Sequence, residues 1–140
     1  MIIPDVNLLL YANIDAYPQH VRARSWLEVS LAGEMGLPAP SIFGFVRIAT
    51  NPRIYRPAMS VEDALGRVES WLAQPGVHFL APGPRHLDLA FRLLRDLGAA
   101  SSLTTDVQLA AYAIENQAEL CSNDADFGRF AGLRWVNPLA

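Results

Sequence analysis

The chain of 140 residues contains no lysine; all 11 basic residues are arginine. That absence removes several chemistries. No lysine can reach the phosphates of a bound nucleotide from a P-loop. None can form a Schiff base or balance a phosphorylated aspartate. Cysteine is also scarce. The single Cys121 excludes an internal disulfide and any cysteine-rich zinc site, and it reads as a small core residue. Long apolar runs are missing, so no membrane span is expected. The first residues lack the basic segment of a signal peptide, and the cytosol is the expected location. Positive charge is not in excess either. A net charge of −3 does not announce a nucleic-acid binder. What remains is a chain of 51% hydrophobic and 18% charged residues, enough for one packed core and too apolar for disorder.

The pattern alternates short apolar strands with helices. Ile2-Ile3 reads as a buried strand, and Val6 to Ala12 as a helix that Asp5 can cap. A second helix covers Pro18 to Ala32, ending at Gly33. Met35 to Ala39 is a strand candidate, weakened by its prolines. Ser41 is expected to cap a third helix, Ile42 to Thr50. Ser60 opens a fourth helix to about Ala73, and Val77 to Leu80 alternates as a strand. Arg85 to Leu97 is a fifth helix stopped by Gly98, followed by a small polar loop at 99–103. Thr104 or Thr105 is expected to cap a sixth helix, Asp106 to about Asn116. Glu119 to Ser122 is a strand, Asn123 to Phe127 a turn, and Arg134 to Val136 a last strand. Such alternation predicts an α/β fold: a central parallel sheet of four or five strands with helices on both faces and the first strand near its middle.

In that architecture ligands bind beyond the carboxyl ends of the strands. Three acids follow that logic. Asp5 ends the first strand, although alone it could be only a cap. Asp106 shares a helical stripe with Leu109, Ala110, Ala113 and Ile114. A carboxylate aimed toward a sheet is costly without compensation, and the helix dipole offsets less than about 1 kcal/mol of that cost. Asp124 follows the strand at Leu120-Cys121-Ser122, and Asp126 lies two residues on; either could simply form an Asx turn. Together the acids crowd negative charge, which a cation would relieve. Oxygen ligands suit Mg²⁺ or Mn²⁺ rather than zinc. His20, His78 and His86 show no ligand spacing. Arg53 and Arg56 flank Tyr55 in a loop that could meet phosphate and a base, or merely be solvated.

Several segments resemble the PIN-domain ribonucleases of the VapC toxin type. They are the opening Ile-Ile-Pro-Asp-Val-Asn-Leu-Leu-Leu-Tyr-Ala, Thr105-Asp106-Val107-Gln108-Leu109-Ala110-Ala111, and Ser122-Asn123-Asp124-Ala125-Asp126-Phe127. Phe45-Val46-Arg47-Ile48-Ala49-Thr50-Asn51-Pro52-Arg53 resembles one branch of these toxins. The likeness runs in order along the whole chain. It implies a single PIN-like domain over 1–140, a three-layer α/β/α fold, and a Mg²⁺-dependent endoribonuclease inhibited by a cognate VapB-like antitoxin. By the same resemblance Asp5, Asp106 and Asp124 match the metal-site acids, with Asp126 as substitute or helper, and relatives suggest a homodimer. One departure stands out: many members carry a glutamate near position 44, where this chain has Gly44 and a third helix without any acid.

The expected chemistry is hydrolysis of an RNA phosphodiester. Asp5 and Asp106 would hold the metal, and Asp124 would orient water or hold a second ion. Asn7 and Ser122 would supply neutral hydrogen bonds behind the acids, and Arg47, Arg53 and Arg56 would grip RNA phosphates. The three carboxylates are expected to converge within the span that one or two ions bridge, on the order of 4–8 Å. An antitoxin segment is expected in a hydrophobic groove formed by the early helices, with a basic side chain near the acids. Two alternatives stand beside this reading. An aspartate-based phosphotransferase or dehalogenase lacks its lysine here. A catalytically weak or inactive PIN-fold module that only pairs with a partner protein is compatible with the missing third-helix acid.

Overall fold

The computed structural model describes residues 1–98 and 103–140. The loop expected at 99–103 lies outside the described residues, except for Leu103. The chain runs β1 (Ile2–Pro4), α1 (Val6–Asn13), α2 (His20–Leu31), β2 (Met35–Pro38), α3 (Ala39–Ala49), α4 (Val61–Leu72), β3 (Val77–Leu80), α5 (His86–Leu97), α6 (Thr104–Glu115), β4 (Glu119–Cys121) and β5 (Arg134–Val136). A 3₁₀ turn at Ala125–Arg129 joins the last two strands.

All five strands are parallel, in the order β3-β2-β1-β4-β5. The expected central first strand is present, and Ile3 is fully buried. Successive strands first step outward from β1 to β3. The α5–α6 crossover then returns the chain to the other side of β1. Strand order therefore reverses between β1 and β4, which makes their carboxyl ends the natural ligand crevice. Two apolar layers follow. Leu8, Leu9 and Leu10 of α1 pack with Leu27, Phe45, Val68 and Trp71 on one face. Leu89, Leu93, Leu109 and Ala113 pack with Ile3, Leu120 and Phe127 on the other.

Several helix ends follow the sequence. Asp5 caps α1, and Ser60 Oγ accepts from Asp63 N at 3.1 Å to cap α4. Gly98 takes a positive φ of 74° behind α5. Two ends differ from expectation. The third helix starts before Ser41, with Pro38 as its cap residue, because proline is well tolerated in a helix's first turn. Ser41 is instead buried inside the helix, and its hydroxyl donates to Pro4 O at 2.7 Å, tying α3 to β1. Likewise α6 begins at Thr104, with Leu103 at the cap and no side-chain bond there. Both threonines are helical, which places Asp106 in the first turn, where a carboxylate meets the positive end of the helix dipole.

Candidate metal centre and cleft

Register sets Asp5 beside the end of β4. Pro4 pairs with Cys121 across β1 and β4, and Asp5 N donates to Cys121 O at 2.9 Å. Asp5 and Ser122 therefore leave their strands side by side. Asp5 is buried. Its Oδ1 accepts from Val6 N at 2.7 Å, and its Oδ2 accepts from Ser122 Oγ at 2.7 Å. Ser122 Oγ in turn accepts from Asn7 Nδ2 at 3.3 Å and from Asp124 N at 3.0 Å. One hydroxyl thus uses its single proton and both lone pairs. The fully buried Ser122 is the joint that links the ends of β1, α1 and β4. Trp135 Nε1 donates to Ser122 O at 3.0 Å and holds the same residue from β5.

Asp124 Oδ1 accepts from Asp126 N at 2.9 Å, which closes an Asx turn at the start of the 3₁₀ segment. Asp126 lies within 3.4 Å of Arg129 on the surface. Among the described residues, no group of three His, Cys, Asp or Glu side chains stands ready to hold a metal ion. The bonds above give the physical reason. Asp5, Asp124 and Asp126 each satisfy an oxygen locally, and unneutralised carboxylates repel one another.

Burial first, and repulsion second, act on the acids' proton affinities. Burial pushes the Asp106 carboxyl up to about 6, and the charges of Asp5, Asp124 and Asp126 push in the same direction. Burial also raises Asp5, and Asp124 adds to it, while the Ser122 and Val6 bonds pull the other way. The four acids therefore share one electrostatic site that is short of positive charge. The donor set is oxygen only, and buried Asn7 Oδ1 has no hydrogen-bond partner. Hard divalent cations suit such a set. These residues fit a metal of that class.

The site opens into a cleft of about 760 Å³ between the start of α1, α3 and the first turns of α6. Asp5, Asp106 and Arg47 line it, together with Phe43, Gly44 and Tyr112. Asp124 stands behind this lining and reaches Asp5 through Ser122. Arg53 and Arg56 lie elsewhere, on the loop beyond the far end of α3. There Tyr55 bonds Tyr17 at 2.5 Å between the two hydroxyls. Phe43 was not singled out from the sequence, although its spacing of four residues from Arg47 on one helix was there to be read. A separate cavity of about 730 Å³ lies beside α2 and α4 and is rich in charge, with Asp15, Arg24, Glu28, Asp63 and Arg67 in its walls. The apolar load of α1 goes into the core, since Leu8, Leu9 and Leu10 are all buried, whereas Val21 and Val29 of α2 stay exposed.

A family profile for the PIN domain matches residues 2–133. The chain belongs to the PIN-domain family. This PIN domain is 55% identical to Ribonuclease VapC33 of Mycobacterium tuberculosis, over 99% of each chain. It is 37% identical to Ribonuclease VapC37 of the same organism, over 100% of this chain and 99% of the relative. Among solved structures, the PIN domain superposes on VapBC-1 from nontypeable Haemophilus influenzae with a TM-score of 0.71 at 15% identity, covering 100% of both chains. It superposes on VapC20 of Mycobacterium tuberculosis, described as a sarcin-ricin loop cleaving toxin, with a TM-score of 0.66 at 14% identity, over 96% of this chain and 99% of that one. Those two likenesses concern the fold.

Gly44 stands where α3 meets the start of α1. A Cβ added there would lie 2.6 Å from Val6 Cγ2. The glycine lets α3 approach the first residue of α1, directly beside Asp5, and Val6 fills the space that a side chain at position 44 would need.

Proposed function

We propose that this PIN domain is a metal-dependent endoribonuclease and the toxin of a type II toxin–antitoxin pair. It would act in the cytoplasm as one domain over residues 1–140, and as a homodimer. The observation that carries this reading is the opening of Asp5 and Asp106 into one cleft at the strand-order switch, with the charge of Asp124 felt by both. The 55% identity to a named ribonuclease supports the reaction class. Solved relatives that pair a VapC chain with VapB support a cognate VapB-like antitoxin as partner. Among the described residues no helix is long and apolar enough to cross a membrane.

Asp5, Asp106 and Asp124 are the residues that would hold the ion, with Asp126 as helper. Mg²⁺ is the proposed metal, and Mn²⁺ also suits the oxygen set. A divalent ion bound there supplies positive charge to the scissile phosphate and lowers the pKa of water. The protein's own groups do the rest. Ser122 and Asn7 fix the orientation of Asp5. Asp124 has Oδ1 committed to Asp126 N, which leaves Oδ2 to orient the attacking water. Arg47 pairs with a phosphate oxygen inside the cleft, and Arg53 and Arg56 would grip RNA farther along the strand.

A second reading is a PIN fold that pairs with a partner protein but cuts nothing. One observation favours it: α3 carries no acid, and Val6 occupies the space at Gly44. Incubation of the purified protein with single-stranded RNA separates the two. The ribonuclease reading expects cleavage that needs a divalent ion, stops on chelation and is lost in Asp5→Asn. Absence of metal-dependent cleavage overturns it in favour of the pairing module.

A further inference from the structure

We infer that Phe43 and Arg47 form the substrate-positioning surface of the cleft, with Phe43 stacking on an unpaired base while Arg47 holds a neighbouring phosphate. This inference deepens the ribonuclease reading and rests on it. It applies to RNA whose bases are free to leave a stack.

The geometry begins with α3. Its inward face is Ile42, Phe45 and Ala49, all buried. Phe43 and Arg47 are exposed and four residues apart, so they neighbour each other on the helix surface. Phe43 is 66% exposed, yet it is not isolated on an outer surface. It lines the same cleft as Asp5 and Asp106. Its neighbours there along the helix, Ala39, Pro40 and Gly44, are small and leave the ring uncrowded. Among the described residues Phe43 contacts no other aromatic ring, and Arg47 has no ion-pair partner.

Charge favours such a pair. RNA is a polyanion, and the cleft presents carboxylates on a chain of net charge −3 without lysine. Phosphates are repelled at such a surface, and the long-range attraction used by basic nucleic-acid binders is missing. Attraction has to come from contacts that do not depend on net charge. Stacking of a base on an aromatic ring is one such contact, and it accepts any base. A base inside a duplex would first have to leave its stack, which costs free energy.

The test measures binding of a single-stranded 2′-O-methyl oligonucleotide, which resists cleavage, by fluorescence anisotropy with Mg²⁺ present. Phe43→Ala should weaken binding roughly tenfold, within the range of base–aromatic stacking. Phe43→Leu, which keeps apolar bulk but has no ring, should weaken it similarly, and Phe43→Tyr should restore it. An abasic oligonucleotide with the same phosphates should bind the unaltered protein about tenfold more weakly, yet lose little further affinity for Phe43→Ala, because the two changes remove the same contact. Wild-type affinity in Phe43→Leu, or equal loss with the abasic strand in both proteins, overturns stacking. So does a fall in oligomeric mass in Phe43→Ala, which would assign the ring to a protein contact. If Asp5→Asn abolishes cleavage while every Phe43 variant binds normally, stacking alone is wrong. If the unaltered protein neither binds nor cuts RNA, the ribonuclease reading falls as well.

Discussion

Replacing Asp106 by Asn should stabilise the metal-free protein at pH 7.5, the reverse of what loss of a helix-start carboxylate usually does. Burial and the charges of Asp5, Asp124 and Asp126 raise the Asp106 carboxyl from 3.8 to about 6. The folded state therefore holds its proton more tightly than the unfolded state. Stability is greatest below pH 3.8 as far as this group is concerned, and it is lost as pH rises through about 6. The unscreened penalty would be about 3 kcal/mol. Asp106 is only half-buried, and solvent screening reduces this to about 1–1.5 kcal/mol. Loss of the favourable dipole interaction returns roughly 0.3–0.5 kcal/mol. The net gain of about 1 kcal/mol corresponds to a Tm rise of roughly 3–5 °C for a domain of this size. Differential scanning calorimetry in chelator at pH 7.5 and at pH 4 reads it, with the gap closing at the lower pH. Millimolar Mg²⁺ should then raise the Tm of the unaltered protein by mass action and raise that of Asp106→Asn much less. A variant less stable than wild type in chelator at pH 7.5 would show that Asp106 is a helix cap rather than a member of a strained acidic site.

Other expectations follow from single contacts. Asp5→Asn should keep the fold, since an amide oxygen can still accept from Val6 N, while metal-dependent RNA cleavage falls by at least about a hundredfold in a gel assay. Ser122→Ala should lower stability by about 2–3 kcal/mol in urea unfolding, because it strands buried partners on Asp5, Asn7 and Asp124. Gly44→Ala should cost about 1–3 kcal/mol by forcing a Cβ onto Val6, although alanine is otherwise the better helix former. The double variant Gly44→Ala with Val6→Ala should recover that loss in the same measurement.

The sheet was legible because its strands are short apolar runs punctuated by helices with clear stops. Ile2-Ile3 announced a buried central strand, and Gly98 and Ser60 marked helix ends by their local chemistry. The two misplaced helix starts share a cause. Ser41, Thr104 and Thr105 are good cap residues by type. A serine that bonds a backbone carbonyl on another element looks identical in sequence, and only the packing of α3 against β1 distinguishes the roles. Of the three acids, Asp5 and Asp106 line one cleft, which their positions at a strand end and a helix start made legible, since a parallel sheet sends such positions to one edge. The position of Phe43 in the cleft was not legible. Exposure alone does not distinguish Phe43 from Val21 and Val29, exposed at 73% and 76%; the fold is what puts Phe43 in the lining of the acidic cleft. The destination of the α1 leucines was not legible either: Leu8, Leu9 and Leu10 are absorbed by the core against residues of α2, α3 and α4.

The most direct test of the account is a Mn²⁺ titration of the metal-free protein, followed by electron paramagnetic resonance, alongside RNA cleavage over the same concentrations. Binding in the unaltered protein should track cleavage, with both half-maximal at the same Mn²⁺ concentration, and Asp5→Asn and Asp106→Asn should lose both together. Mn²⁺ binding undiminished in both variants, or cleavage that persists in chelator, would contradict the assignment of these aspartates as the metal centre that cuts RNA.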